Sequence, residues 1–493
     1  MDTLDPFGIV DSFKRVGETW RDRSEELKES WYSMIRQFQE ATLEELRQRA
    51  SPPEDHSIPA DTRGAVLAAV KQQAALARKY HSIFGGWMKD WVAHSRGLSE
   101  KDRLRAQFWM RQWINAHNPA NYFWTNPYAV QRFLDSSGES LVHGMENWWH
   151  DACNHEFLSR IVDESAYKVG ENIAVTPGSI VYRNDLIELI QYDATTETIF
   201  DAPVVIIPPW INKYYVFDLS PESSMVRYLR DEGFAVFIIS WRNPSSAMRG
   251  VAFDDYMLMG ACQAVETAKE ICRAKTVHAV GYCIGGTVLA ALMAWLNRRP
   301  GKAAKIAIAD WTLLSSLVDF SEPGDLGVFI SVSALEAIET LMREDGFLNK
   351  RYIDLAFRLL GADSLIWRNL IQNYLYGGSP PKSDMLFWNT DGTNLPEAMC
   401  SFYLREFYLN NRLVEKDGVI LAGRSLDLGR ITQPLYAVGT QLDHICPWRG
   451  TYRTGRFVSG DIRYVLSSEG HITGIINPPS EHSRRRYWAG NVN

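Results

Sequence analysis

Excess basic charge, abundant cysteine and long apolar runs are all missing from this sequence, and each absence removes a class of function. Lysine and arginine number 52 against 59 aspartates and glutamates, a formal charge of −7, which is the wrong sign for holding a phosphate backbone. No nucleic-acid partner is expected. The six cysteines, at 153, 262, 272, 283, 400 and 446, are too sparse for a disulfide scaffold, and no C-x-x-C pair offers a zinc or redox centre. Free thiols in a reducing compartment and no bound metal follow. No stretch approaches the roughly 18 apolar residues of a transmembrane segment. The first thirty residues carry Asp2, Asp5, Asp11, Lys14, Arg15, Glu18 and Arg21, which leaves no apolar core for a signal peptide. The expectation is a cytoplasmic chain without a transmembrane segment. Internal repeats and low-complexity tracts are absent too.

What is present is an ordinary globular composition, 46% apolar and 23% charged, with a heavy aromatic load of 17 Trp, 21 Tyr and 21 Phe. Ile9, Phe13, Val16 and Trp20, then Leu27, Trp31, Met34 and Phe38, recur at helical spacing. The three prolines of Ser51–Pro59 break any helix, so a linker is expected there. Helical texture resumes from Ala60 to about Ala166. After Pro177 short β-branched runs alternate with helical stretches: Ile180–Tyr182, Ile187–Tyr192, Val204–Ile207, Ala235–Ile239, Val277–Val280, Ile306–Ile308, Leu435–Val438 and Tyr464–Leu466. Several are continuously apolar, as strands buried on both faces of a parallel sheet should be. Strand and helix in alternation mean a doubly wound α/β domain. About 120 residues separate the Ile306 and Leu435 runs, where such connections usually take about 2 to 6 residues around a helix. This insertion fits a cap over the carboxyl edge of the sheet. The expected organisation is a mainly helical region at 1–170 and an α/β domain at 171–493, with a cap or lid at 318–430 inside it.

The chemistry concentrates at Val277–Met293, which reads as strand, glycine-flanked turn and helix. Gly281 and Gly285 stand two residues either side of Cys283, giving G-x-S-x-G with cysteine in place of serine, the pattern of a nucleophile elbow. A helix N-terminus behind the turn favours a thiolate, and the Ile284 amide is placed to be an oxyanion donor. In the chain order of α/β hydrolases an acid and then a histidine follow the nucleophile, each after a later strand. Asp443 follows Leu435–Val438 and His471 follows Ile462–Ser468, so they are the candidate orienting carboxylate and general base. His444, next to Asp443, is expected beside the triad rather than in it. A second oxyanion donor is expected from the loop after Val204–Ile207, at the backbone of Trp210 or Ile211.

Trp210-Ile211-Asn212-Lys213-Tyr214-Tyr215, Ser240-Trp241-Arg242-Asn243-Pro244, Gly281-Tyr282-Cys283-Ile284-Gly285-Gly286-Thr287, Leu386-Phe387-Trp388-Asn389, Asp443-His444, and Gly470-His471 with Ile476-Asn477-Pro478-Pro479 together resemble the poly(3-hydroxyalkanoate) synthases. The resemblance spans about residues 115 to 488. It implies an α/β-hydrolase fold and an acyltransferase that polymerises (R)-3-hydroxyacyl-CoA at the surface of cytoplasmic storage granules. It further implies a homodimer, with granule-associated (phasin-like) proteins as further partners, and Cys283, Asp443 and His471 at the catalytic positions. No cofactor is implied, the CoA thioester being the substrate. The resemblance does not closely cover the segment before about residue 115, and the sequence stops at Asn493, soon after Tyr487-Trp488, where relatives usually continue into a tryptophan-rich tail.

A cysteine suits this chemistry, because attack on a thioester by a thiol exchanges one thioester for another and keeps the acyl group activated. A closed apolar channel must then exclude water, a role for the insertion and such aromatics as Trp367, Phe387 and Trp388. The glycine box looks like that of single-subunit synthases taking short hydroxyacyl groups, 3-hydroxybutyryl above all. A steric wall at Trp210–Tyr215 and around Trp388 would enforce that choice. Two other functions remain compatible with the residues: a thioester hydrolase using the same Cys-Asp-His triad, and an inactive granule-associated protein.

Overall fold

The computed structural model describes residues 5–50, side chains of 48–50 aside, and 62–156, 158–298, 307–480 and 483–492. The break expected at Ser51–Pro59 lies outside the described residues. Two compact units form, one from Met1–Glu164 with Leu355–Ser383 and one from Ser165–Asp354 with Asp384–Asn493. Part of the stretch expected as a cap therefore belongs to the first unit. No helix among the described residues is long and apolar enough to cross a membrane.

The first unit is helical: α1 (Ile9–Thr19), α2 (Ser24–Ala50), α3 (Thr62–Ala93), α4 (Glu100–Ala116), α5 (Pro127–Asp135) and α6 (Glu139–Asn154). Local chemistry sets the ends. Ser99 caps α4 by accepting from the Asp102 amide, and Asn126 caps α5 by accepting from Tyr128 and Ala129 with Pro127 in the first turn. The apolar stripe seen in the sequence is used, since Val16 and Trp20 bury against Val92, Ala106, Met110 and Ile114. Near the end of α6, Asp151 is wholly enclosed. Its carboxylate accepts from Arg160 Nε at 2.6 Å, the Arg160 amide at 3.1 Å and Tyr374 Oη at 2.9 Å.

The second unit is built on a sheet of nine strands among the described residues: β1 (Gly178–Arg183), β2 (Ile187–Tyr192), β3 (Val204–Ile207), β4 (Val236–Trp241), β5 (Val277–Tyr282), β6 (Ile308–Leu314), β7 (Leu435–Thr440), β8 (Ile462–Ser467) and β9 (Tyr487–Val492). Their spatial order is β1-β2-β4-β3-β5-β6-β7-β8-β9. Strands β4, β3, β5, β6, β7 and β8 run parallel, and β1, β2 and β9 join antiparallel at the edges. The connection β3 to β4 passes through α7 (Met225–Asp231), capped by Ser224, to the neighbouring strand, and the next connection, β4 to β5, crosses over β3, as doubly wound folds do. Helix α8 (Gln263–Ile271) precedes β5, and α9 (Ile284–Asn297) follows it with Ile284 to Leu296 all buried, which explains that helix's unbroken apolar sequence.

Three sequence expectations change. The Ile306–Ile308 strand is in fact Ile308–Leu314, because Asp310 and Thr312 interrupt its apolar run while pairing with β5 and β7 decides its length. Among the helical stretches expected after Pro177, the one leading to β5 is not regular throughout but widens into a π-helical segment at Tyr256–Cys262. Strand β9 was not foreseen, since its residues are almost all exposed and carry no alternation.

Candidate active site

Strands β5, β7 and β8 each end at one functional side chain, and their parallel alignment brings those ends to one edge of the sheet. Cys283 leaves β5 with φ 53° and ψ −126°, an uncommon conformation for a non-glycine residue. Hydrogen bonding pins it there. Its amide donates to Leu314 O at 2.9 Å, and its carbonyl accepts from the Gly286 amide at 3.0 Å and that of Thr287 at 3.3 Å, opening α9. The flanking glycines are required by crowding: a Cβ at Gly281 would strike the Gly286 backbone, and one at Gly285 would strike the Ile207 and Pro208 carbonyls. The sharp turn lifts the thiol clear of strand and helix.

Asp443 sits three residues past β7 and is held from several sides. Its Oδ1 accepts from the amides of Ile445 at 2.9 Å and Cys446 at 2.7 Å, a turn closed by its own side chain, and Thr440 Oγ1 donates to Oδ2 at 3.1 Å. The remaining contact of Oδ2 is His471 Nδ1 at 2.7 Å. This leaves His471 Nε2 for Cys283. Among the described residues, ligand atoms of Cys283, Cys446 and His471 all lie within 4.8 Å of one another. The Tyr282 ring stacks on the imidazole at 5.4 Å between centroids, and its hydroxyl donates to His471 O at 3.2 Å. With Asp443 fixing Nδ1 and Tyr282 fixing the ring plane, the imidazole has little freedom to turn.

The electrostatics follow from these contacts. The Cys283 thiol is held well below the ordinary thiol range by a hydrogen bond from Cys446, which outweighs burial, with His471 and the Ile284 amide adding to the effect. Cys446 is pushed the other way by its bond to Cys283 and by burial. Burial alone would lower the His471 pKa, but the Asp443 carboxylate and the Cys283 sulfur raise it well above the usual value. Burial opposes ionisation of Asp443, and His471 with the two amides overcomes it and keeps the carboxylate charged. Both shifts favour the thiolate form of Cys283 and the imidazolium form of His471.

The sequence candidates fare differently. Cys283, Asp443 and His471 come together. The His444 side chain is exposed, and the residue is tied in through its carbonyl, which accepts from the Asp325 amide at 2.8 Å. The Ile284 amide reaches Cys283. Trp210 and Ile211 lie on the loop after β3, whose Ile207 pairs with Gly281. Their carbonyls are engaged by the Thr393 hydroxyl and, at 2.8 Å, by its amide. The same loop is laced to Trp388: its indole donates to Lys213 O at 2.6 Å, and Asn212 donates to Asn389 O at 3.2 Å. Trp388 and Cys283 share one apolar cluster with Tyr215, Phe217 and Tyr282. Sequence reasoning passed over Cys446, Thr440 and Tyr282. The signal for Cys446 was its place three residues after Asp443, within reach of a side-chain-closed turn.

A second group at metal-ligand spacing is His150, Asp151 and His155, but its central carboxylate is already committed to Arg160.

Two family models match this chain: one described as the Poly-beta-hydroxybutyrate polymerase (PhaC) N-terminus, over residues 70–229, and one as the alpha/beta hydrolase fold, over residues 202–478. A poly(3-hydroxyalkanoate) polymerase of Methylorubrum extorquens is 35% identical over 97% of this chain and 79% of its own length. The poly(3-hydroxyalkanoate) polymerase subunit PhaC of Rhizobium meliloti is 38% identical over 84% of this chain and 67% of its own. That of Cupriavidus necator is 38% identical over 80% and 66%. The elbow at Cys283, the order of the strands and these matches agree: the chain belongs to the poly(3-hydroxyalkanoate) polymerase family, on an α/β-hydrolase fold.

Proposed function

We propose that this chain is an acyltransferase that polymerises (R)-3-hydroxyacyl-CoA into polyester through a thioester on Cys283, with release of CoA. The observation that carries this reading is the 2.7 Å bond from His471 Nδ1 to Asp443, which turns the other ring nitrogen toward a thiol raised on a strained elbow. The Cys283 thiolate attacks the thioester carbonyl, and the developing oxyanion is met by the Ile284 amide and by an amide of the Trp210–Ile211 loop. His471 gives its proton to the departing CoA sulfur. In the next step neutral His471 takes the proton of an incoming 3-hydroxyl, whose oxygen attacks the Cys283 thioester and extends the ester chain. Asp443 holds the imidazole in one tautomer and stabilises its cation. No cofactor is needed for any of these steps.

The bond network between the Trp210–Tyr215 loop and Trp388 supports a short acyl group, 3-hydroxybutyryl, as the preferred unit. One added methylene changes affinity by only about 1–3 kcal/mol in an open apolar pocket, so selection against long chains needs such a wall. Purified protein given (R)-3-hydroxybutyryl-CoA should release CoA and leave insoluble polyester, with the 3-hydroxyoctanoyl thioester a poor competitor. Cys283→Ala should remove both products while the protein stays folded. Free 3-hydroxybutyrate without polymer would overturn the reading in favour of a thioester hydrolase.

A further inference from the structure

Acyl transfer as described uses one sulfur, yet a second thiol stands beside it. Cys446 is 4% exposed and its Sγ lies within 4.8 Å of both the Cys283 sulfur and a His471 ring nitrogen. Its position is fixed by the turn that fixes Asp443, because the Cys446 amide is one of that carboxylate's donors. No other cysteine joins this cluster among the described residues. We infer that Cys446 is a resolving thiol for Cys283, so that a peroxide reaching the unloaded site converts the pair to a reversible disulfide. This rests on Cys283 being the nucleophile.

The chemistry balances within the site. The Cys283 thiolate attacks one peroxide oxygen, the O–O bond breaks, and the leaving hydroxide takes a proton from His471 and departs as water. Cys283 is then a sulfenic acid. Cys446 yields its proton to the imidazole, and its sulfur attacks the Cys283 sulfur, expelling hydroxide, which recovers that proton as a second water. Two thiols have been oxidised by two electrons and one peroxide reduced to two waters. A neighbouring thiol captures the sulfenic acid before a second peroxide carries it to the irreversible sulfinic acid. Closure to an S–S bond of about 2.05 Å asks for rotation of two side chains, one of them on the turn after β7. An acyl group on Cys283 blocks the first step, so a working enzyme is protected and an idle one is stored as the disulfide.

The test treats the full chain with hydrogen peroxide, in the presence of a chelator so that no metal bridges the two sulfurs, and maps unreduced peptides by mass spectrometry. The expected product joins the Cys283 and Cys446 peptides, and a dithiol restores CoA release. In Cys446→Ala the same treatment should leave Cys283 as sulfinic or sulfonic acid that the dithiol does not rescue. The nearly isosteric Cys446→Ser serves the same purpose should the alanine variant fail to fold. Equal sulfinic acid formation with and without Cys446, or a disulfide to another cysteine, overturns the inference. Because the peptide masses are read without turnover, they stand apart from the catalytic reading, which falls if Cys283→Ala still releases CoA.

Discussion

Two buried carboxylates, one in each unit, are wrapped alike and do different work. Asp151 and Asp443 have side chains with no exposed surface, and each pairs with one cationic group at 2.6 to 2.7 Å. Each also accepts at least one backbone amide and one hydroxyl. The difference is the cation. A guanidinium is no acid or base for catalysis, so the Asp151–Arg160 pair serves to tie α6 to the chain that follows it. His471 can lose and regain its proton, and its far nitrogen faces a thiol. Burial and an ion pair are common to both places; a partner that titrates, beside a nucleophile at a strand end, marks only the second.

The sharpest way to break this comparison is to exchange the losses. His471→Ala should reduce CoA release by about 10²- to 10⁴-fold or more, the usual scale for losing a general acid–base, with little change in thermal stability. Asp151→Ala should do the reverse, costing about 3–5 kcal/mol because it strands the Arg160 charge, while turnover per folded molecule is kept. If the Asp151 variant loses activity at full stability, the division between structural and chemical carboxylates fails.

Asp443→Asn sharpens the contrast within the second unit. The amides of Ile445 and Cys446 can still bond the side-chain oxygen, so the turn persists, but the charge that raises the His471 pKa is gone. Elongation should suffer more than loading, because loading starts from a thiolate whereas elongation must strip a proton from a hydroxyl. Single-turnover CoA release compared with steady-state polymer formation reads the two steps. Equal loss of both would make Asp443 an orienter throughout.

A smaller effect concerns pH. The Cys283 thiol is depressed, so its charged form persists as pH falls below the ordinary thiol value of about 8.5, and alkylation at Cys283 should stay fast until the lowered pKa is crossed. Cys446→Ala removes a donor to the thiolate and should move that alkylation midpoint upward. A midpoint that stays put or moves down would remove Cys446 from the electrostatics of the site.

The core of the fold was legible because its elements are periodic and strongly punctuated. The apolar runs at 187–192, 204–207, 277–280 and 435–438 became strands at those places, and the glycines around Cys283 announced a turn that only side-chain-free positions allow. Asp443 and His471 were found through their order after successive strands. Elements set by pairing rather than by local pattern were not: β6 carries Asp310 and Thr312 in its middle, and β9 is exposed on an edge. Spacing placed Cys446 near the Asp443 turn but could not show that its thiol meets Cys283, nor orient His444, since both depend on which way that turn closes around the Asp443 carboxylate.

The central claim is that the acyl group is carried on Cys283, and the most direct measurement is to trap it. Brief reaction with (R)-3-hydroxybutyryl-CoA, acid quench and peptide mapping should show hydroxybutyryl mass on the Cys283 peptide, sensitive to hydroxylamine and absent in Cys283→Ala. Acyl mass on any other residue, Cys446 included, or steady polymer formation with Cys283 never modified, would contradict the account.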